Sequence, residues 1–205
     1  SYACGGPETL TLDELPDRVP GPGEVLVAVK ACGINFPDTL IVADLYQFKP
    51  ERPFAPGAEL AGVVEAVGDG VTCWKAGDRV ASVMMWGGLT EKIALPQDKL
   101  FALPVEVDFE HGAAMLLTYA TTLYALRNRA QLQPGDTLLV LGAAGGTGLS
   151  AVELGKALGA RVVAAVSSEE KAAIARAAGA DEVVIYSRPP FDREQSRALA
   201  NQFKA

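Results

Sequence analysis

Between Thr137 and Tyr186 the apolar positions switch period four times. Thr137–Leu141 is a short continuous apolar run, which predicts a buried strand. A glycine-rich stretch follows, Gly142-Ala143-Ala144-Gly145-Gly146-Thr147-Gly148. Ser150–Leu158 then carries apolar residues at helical spacing and stops at Gly159. Arg161–Val166 is a second apolar run, Glu169–Ala178 a second helix stopped by Gly179, and Glu182–Tyr186 a third strand. Strand, helix, strand, helix, strand is one mononucleotide-binding half of a doubly wound sheet. Asp192–Ala205 reads as a further helix with no strand after it.

The front of the chain has another texture. Thr9–Leu12 alternates like a strand, Val25–Cys32 is rich in β-branched and small residues, and Ala61–Val67 is a further strand closed by Gly68-Asp69-Gly70. Gly77–Val80 begins another turn and strand, and Leu89–Leu95 is one more. Many short strands punctuated by Gly and Pro predict a β-rich, partly closed barrel. Asp108 is placed to cap a long helix through Leu126, with His111, the single histidine, at its third position.

The glycine stretch carries the first chemical reading. A tight turn between a strand and a helix brings backbone N–H groups close to a pyrophosphate. The fingerprint positions are occupied by Ala143, Gly145 and Gly148, so Ala143 is expected to make the first turn without a free φ. Ala144, Gly145, Gly146, Thr147 and Gly148 form the predicted phosphate cradle. At the end of the second strand an NAD site places an acid on the ribose hydroxyl; here the chain reads Val166-Ser167-Ser168. Two hydroxyls can donate to a 2′-phosphate and Lys171 can add a cation, which favours NADPH over NADH. Glu169 and Glu170 sit where first-turn acids suit the helix dipole, and Lys171 also reads as a solvated helix lysine.

Composition narrows the partners. The chain has 205 residues, 49% hydrophobic and 21% charged, with a net charge of -7. That balance disfavours nucleic acid and anionic membrane surfaces as partners. No apolar run approaches the roughly 18 residues of a membrane span. Cys4, Cys32 and Cys73 are odd in number and widely spaced, which suggests neither a disulfide framework nor a metal site. A cytoplasmic location is expected. No stretch reads as a signal peptide. The chain opens without a methionine, so a fragment is expected, with a natural three-strand protein as the alternative.

Four strings, Gly33-Ile34-Asn35-Phe36-Pro37-Asp38, Pro56-Gly57-Ala58-Glu59-Leu60-Ala61-Gly62, Lys75-Ala76-Gly77-Asp78-Arg79-Val80 and Leu141–Gly148, occur in an order that resembles the medium-chain dehydrogenase/reductase superfamily. Within it the chain is similar to the zinc-free NADPH:quinone oxidoreductase branch. The resemblance implies an α/β protein: a GroES-like partial barrel over residues 1–107, then a linking helix and the first half of a Rossmann NADPH-binding domain over 108–205. Positions matching the zinc ligands of alcohol dehydrogenases are Asn35, Ala58 and Thr118 here, a poor donor set for zinc. No cysteine lies between Val80 and Leu95 to build a structural zinc lobe.

The same resemblance implies site residues. Asn35, Asp38 and Tyr46 match pocket residues, with Tyr46 a hydrogen-bond or proton donor to the developing oxygen. Tyr46 reads equally as aromatic packing beside Phe48 and Phe54, Asn35 as a buried strand-end amide, and Asp38 as a brace for a short helix. Two residues before Tyr46, family members commonly carry glycine; here it is Asp44. Thr121, or Thr122 beside it, matches a threonine that approaches the nicotinamide. Tyr186 matches a residue flanking the 2′-phosphate, or is a strand-end aromatic. The implied activity is zinc-independent hydride transfer from NADPH to a small quinone or α,β-unsaturated carbonyl, by a homodimer or homotetramer. An enoyl-thioester reductase and a non-catalytic, crystallin-like NADPH-binding protein are the alternatives.

Overall fold

A computed structural model of the chain describes residues 1–186 and 192–202. It divides into two compact units, Ser1–Leu117 and Thr118–Ala205.

The first unit is built on five antiparallel strands, β1 (Glu24–Gly33), β2 (Glu59–Val67), β3 (Arg79–Val83), β4 (Lys92–Pro96) and β5 (Leu100–Ala102), in the order β4-β1-β2-β3-β5. A short helix, α1 (Phe36–Val42), follows β1. Period-two alternation covers both faces of the sheet. Leu60 and Val64 of β2 join Val25, Val27, Val80, Leu95 and Leu100 in one core. Ala61, on the other face, joins Ala81, Leu103 and Ala113. Small residues on that face admit the helix α2 (Phe109–Leu123): a Cβ at Gly112 would lie 2.8 Å from Leu103 and 3.2 Å from Ala61. Each fully buried Val or Leu contributes about 1.5–3 kcal/mol.

Two expectations for this unit are corrected. Thr9–Leu12 is not a strand: Pro7–Thr9 forms a single 3-10 turn, and Leu12 is fully exposed. Proline at the first position presets the turn, and both the N–H and the hydroxyl of Thr9 bond the carbonyl of Gly6, at 3.0 and 2.8 Å. The strand expected at Leu89 begins at Lys92 instead. The N–H groups of Leu89 and Thr90 are taken by Pro56 and Gly88, at 2.8 and 2.9 Å, and so cannot enter the ladder there.

Asp108 caps α2 as expected, its carboxylate accepting the N–H of His111 at 2.8 Å. The His111 ring also bonds that carboxylate, at 2.7 Å, and is exposed. Past Leu123 the helix widens into a π-helical stretch, Tyr124–Arg129, with Ala130 bonding back five residues to Ala125 at 2.8 Å.

The second unit contains β6 (Thr137–Leu141), α3 (Gly146–Ala157), β7 (Arg161–Val166), α4 (Glu169–Ala177), β8 (Glu182–Ile185) and α5 (Arg193–Gln202). The three strands are parallel in the order β6-β7-β8. Val140, Val152, Val162, Ala164, Val166, Ala172 and Ala175 form its core, so both crossover helices bury small residues against the sheet. The last three residues of the expected terminal helix, 203–205, lie outside the described residues. No helix among the described residues is long and apolar enough to cross a membrane.

Candidate functional site

In the second unit β6 hands over to α3 through Gly142–Gly145. Gly142, not Ala143, takes the left-handed turn, with φ +65°. Ala143 is fully buried, and its N–H bonds the carbonyl of Ala165 on β7 at 3.2 Å. The expected strain at Ala143 therefore does not arise, because the glycine before it carries the turn. Gly145 is the N-cap of α3, so the helix opens inside the glycine stretch rather than at Ser150. Gly148 is needed for close packing: a Cβ there would lie 2.3 Å from the carbonyl oxygen of Gly142 and 2.8 Å from Cα of Ala143.

The turn opens onto a cavity of about 120 Å³ lined by Gly142, Ala144, Gly145, Val166, Ser167, Lys171 and Tyr186. Five of the predicted cofactor residues therefore meet in one place: Ala144, Gly145, Ser167, Lys171 and Tyr186. No carboxylate among the described residues lines it. The acids at the start of α4 stay off the wall, and Glu169 lies 3.8 Å from Arg176 in an ion pair. Tyr186 is held at the rim by its N–H, which bonds the carbonyl of Val166 at 2.9 Å.

The other predicted cofactor residues do not line that cavity. Ser168 is the N-cap of α4, its hydroxyl oxygen accepting the N–H of Lys171 at 3.3 Å. Gly146, Thr147 and Gly148 form the first turn of α3. Thr121 is exposed on α2, while Thr122 is buried. Oγ1 of Thr122 lies 2.7 Å from Oγ of Ser150, which donates to the carbonyl of Thr147 at 2.9 Å. Thr122 and Ser150 thus brace the first turn of α3 from beneath. Ser150 was not visible as a site residue, since a buried serine inside an apolar helix stripe reads as core.

The first unit holds a second constellation. Asp38, 3% exposed, accepts the N–H of Asn35 at 2.7 Å and the N–H of Gly57 at 3.1 Å. It braces the start of α1 and ties it to the next loop. The amide nitrogen of Asn35 donates to Glu59 at 2.7 Å. The other Glu59 oxygen accepts the N–H of Leu117 at 2.9 Å. Cys32 lies beside this cluster; burial first, then the charges of Asp38 and Glu59, push its thiol up to about 11, so it stays protonated at neutral pH.

Tyr46 is half-buried, its ring 6.1 Å from that of Phe48. Its hydroxyl has no hydrogen-bond partner among the described residues. Asp44, at the position where glycine is expected, does adopt the left-handed backbone, φ 58°. Aspartate tolerates that region, and Arg52 pairs with its carboxylate at 3.1 Å. Of the three zinc-matching positions, Asn35 is engaged by Glu59 and Ala58 is buried without a donor. The third, Thr118, packs by its methyl near Gly146, 3.3 Å from where a Cβ would stand. Among the described residues no group of three or more His, Cys, Asp or Glu is placed to hold a metal ion.

Comparisons with known proteins follow the same two units. The alcohol dehydrogenase GroES-like domain family matches residues 21–105, and the zinc-binding dehydrogenase family matches 146–204. A quinone oxidoreductase of Pseudomonas aeruginosa is 46% identical over 186 residues, covering 90% of this chain and 57% of that protein. Among solved structures, the quinone oxidoreductase of Pseudomonas syringae pv. Tomato DC3000 superposes with a TM-score of 0.86 at 43% identity, over 98% of this chain and 61% of that one. The Escherichia coli quinone oxidoreductase complexed with NADPH gives a TM-score of 0.87 at 38% identity, over 98% of this chain and 61% of that one. The chain thus spans about three fifths of the relatives it matches, and it belongs to the medium-chain dehydrogenase/reductase superfamily, in its quinone oxidoreductase branch.

Proposed function

We propose that the protein is an NADPH-dependent, zinc-independent reductase that delivers hydride to a quinone or an α,β-unsaturated carbonyl. The observation that carries this reading is the cavity beside the glycine turn, which among the described residues offers Lys171 and Ser167 and no carboxylate. The residues present fit the cofactor. A Cβ on Gly145 would meet only the carbonyl of Gly142, at 3.5 Å, so the space before the α3 N-terminus is open to a pyrophosphate. Lys171, Ser167 and Tyr186 would hold the 2′-phosphate. A charge-assisted contact of that kind contributes about 1.5–3 kcal/mol, or roughly ten- to a hundredfold in Kd.

When bound, the cofactor supplies the hydride. The chain's own work is on the acceptor. Asn35 presents an amide to the acceptor oxygen, and the Tyr46 hydroxyl delivers a proton to that oxygen as charge develops on it. The apolar, exposed side chains Ile34, Phe36, Leu45 and Phe48 flank these two residues in the chain, which favours an apolar acceptor such as a quinone. Metal plays no part in this reading, because an amide held by a carboxylate and an alanine stand where ligands would be needed. The working protein is taken to be a homodimer or homotetramer, which light scattering on the purified protein tests, and cytoplasmic, which fractionation of the source cells tests.

The decisive measurement is the pair of dissociation constants for NADPH and NADH with the full-length protein. NADPH is expected to bind ten- to a hundredfold tighter; equal or tighter NADH binding would sink the cofactor assignment. Turnover with 1,4-benzoquinone is expected to exceed turnover with crotonyl-CoA, and the reverse order would assign an enoyl-thioester reductase. One zinc ion retained per chain would end the metal-free mechanism.

A further inference from the structure

Glu59 is a carboxylate only 1% exposed, inside the string Pro56–Gly62, and the reaction outlined above leaves it without a task. Its surroundings are built around it. Glu59 pairs across the sheet with Gly33, and a Cβ on Gly33 would stand 2.6 Å from Oε1 of Glu59 and 2.4 Å from the carbonyl of Ala113. Glycine at the end of β1 therefore clears the space that the carboxylate occupies. Both oxygens are used. Oε1 accepts Nδ2 of Asn35 at 2.7 Å, and Oε2 accepts the N–H of Leu117 at 2.9 Å. Burying a carboxylate is costly unless such donors meet it, so a stability role alone would be better served by an apolar side chain.

The chemistry of the pair decides which way the Asn35 amide faces. A carboxylate with two N–H donors acts only as an acceptor, so the amide must turn its nitrogen toward Glu59. Its side-chain oxygen then faces the Asp38 N–H in the capping box of α1, and its second N–H is presented in one orientation rather than two. Asp38 holds the Asn35 backbone, and Glu59 holds the side chain. We propose that Glu59 is the positioning residue of Asn35: it fixes the flip state of the carboxamide that meets the hydride acceptor. This rests on the reading of Asn35 as an acceptor-binding residue.

Glu59→Gln tests it, because glutamine keeps the volume but can donate to the Asn35 carbonyl and reverse the amide. With NADPH and 1,4-benzoquinone, E59Q is expected to lose roughly ten- to a hundredfold in kcat. Its NADPH Kd should stay within about twofold of wild type, since the cofactor cradle is untouched. N35A should be slow as well, and the double variant N35A/E59Q no slower than N35A. Losses that multiply in the double variant, or an E59Q enzyme with wild-type kcat, overturn the proposal while leaving Asn35 its role. An N35A enzyme with wild-type kcat overturns the reading of Asn35 itself, and Glu59's task falls with it. A readout that needs no variant is the side-chain amide of Asn35 in asparagine-labelled wild-type protein. One amide proton is expected to be downfield and slow to exchange; a freely exchanging pair would overturn the inference even if E59Q failed to fold.

Discussion

The two constellations are made of different materials. The cavity in the second unit is largely backbone: a left-handed Gly142, an N-cap at Gly145, and a strand end at Val166. The cluster in the first unit is side-chain chemistry, Asn35, Asp38 and Glu59, with Glu59 reaching 24 positions back to Asn35 and 58 positions on to the N–H of Leu117. Backbone cradles tolerate almost any side chain except one that fills them, whereas a hydrogen-bonded cluster tolerates almost none at its acceptor positions. Both rely on glycine to clear space. That shared device gives the sharpest way to separate them.

Alanine at Gly148 and alanine at Gly33 are the same chemical change. At Gly148 the new methyl would lie 2.3 Å from the carbonyl of Gly142; at Gly33, 2.4 Å from the carbonyl of Ala113. Each forces a backbone shift costing about 1–3 kcal/mol. G148A is expected to weaken NADPH binding by more than about a hundredfold, because the shift falls on the turn that receives the phosphates. G33A is expected to keep NADPH affinity and lose turnover. Titration of both variants with NADPH reads the difference, and equal loss of affinity in the two would break the division of labour.

Lys171 sharpens the cavity further. K171A is expected to lose ten- to a hundredfold in NADPH affinity and nothing in NADH affinity. A matched loss for both nucleotides would place Lys171 on the pyrophosphate and leave the 2′-phosphate unassigned.

The difference in material also explains what could be read from the chain alone. The second unit is local: its strands are contiguous apolar runs, its helices end at Gly159 and Gly179, and the strand at Arg161–Val166 is found as expected. The residues lining the cavity come from three short stretches in a βαβαβ pattern, so period and punctuation bring them together. Even there the left-handed residue was misplaced by one position, because a fingerprint counts glycines and does not say which one bears the positive φ. In the first unit the strings around Asn35 and Glu59 were visible, but the bond between them was not. Nothing in a one-dimensional pattern reports that a strand residue and a loop residue meet across a sheet. The bond between Thr122 and Ser150 was hidden for the same reason.

Those two hydroxyls give a smaller effect that tests whether the backbone cradle needs side-chain support. S150A removes the closer partner of the buried Thr122 hydroxyl, leaving it only the Thr147 carbonyl at 3.5 Å, so a loss of about 1–3 kcal/mol in stability is expected. T122V/S150A replaces both partners by apolar groups and should be closer to wild type than S150A. Thermal melts with and without NADPH check the order. A double variant worse than the single would show that the hydroxyls act on the turn separately, not as a pair.

The smallest expected effect concerns Asp181, which carries the comparison back to the second unit. Its carboxylate accepts the N–H of Val162 at 2.6 Å and both oxygens meet Lys156, at 2.7 and 2.8 Å. It therefore ties the start of β7 to the end of α3, a side-chain link inside a unit otherwise read from its backbone. The Lys156 bond first, and the Val162 N–H second, hold its pKa below the ordinary value of 3.8. A depressed carboxylate contributes stability that is present above its unfolded pKa and lost as pH falls through the folded one. Asp181 is well exposed, so the contribution is modest and weakens with salt. D181N should therefore melt slightly below wild type at neutral pH, and the gap should close as the pH drops beneath the carboxylate range. A gap that persisted in acid would mean that the asparagine disturbs the packing of β7, and that this unit too rests on long-range side-chain contacts more than its sequence pattern suggests.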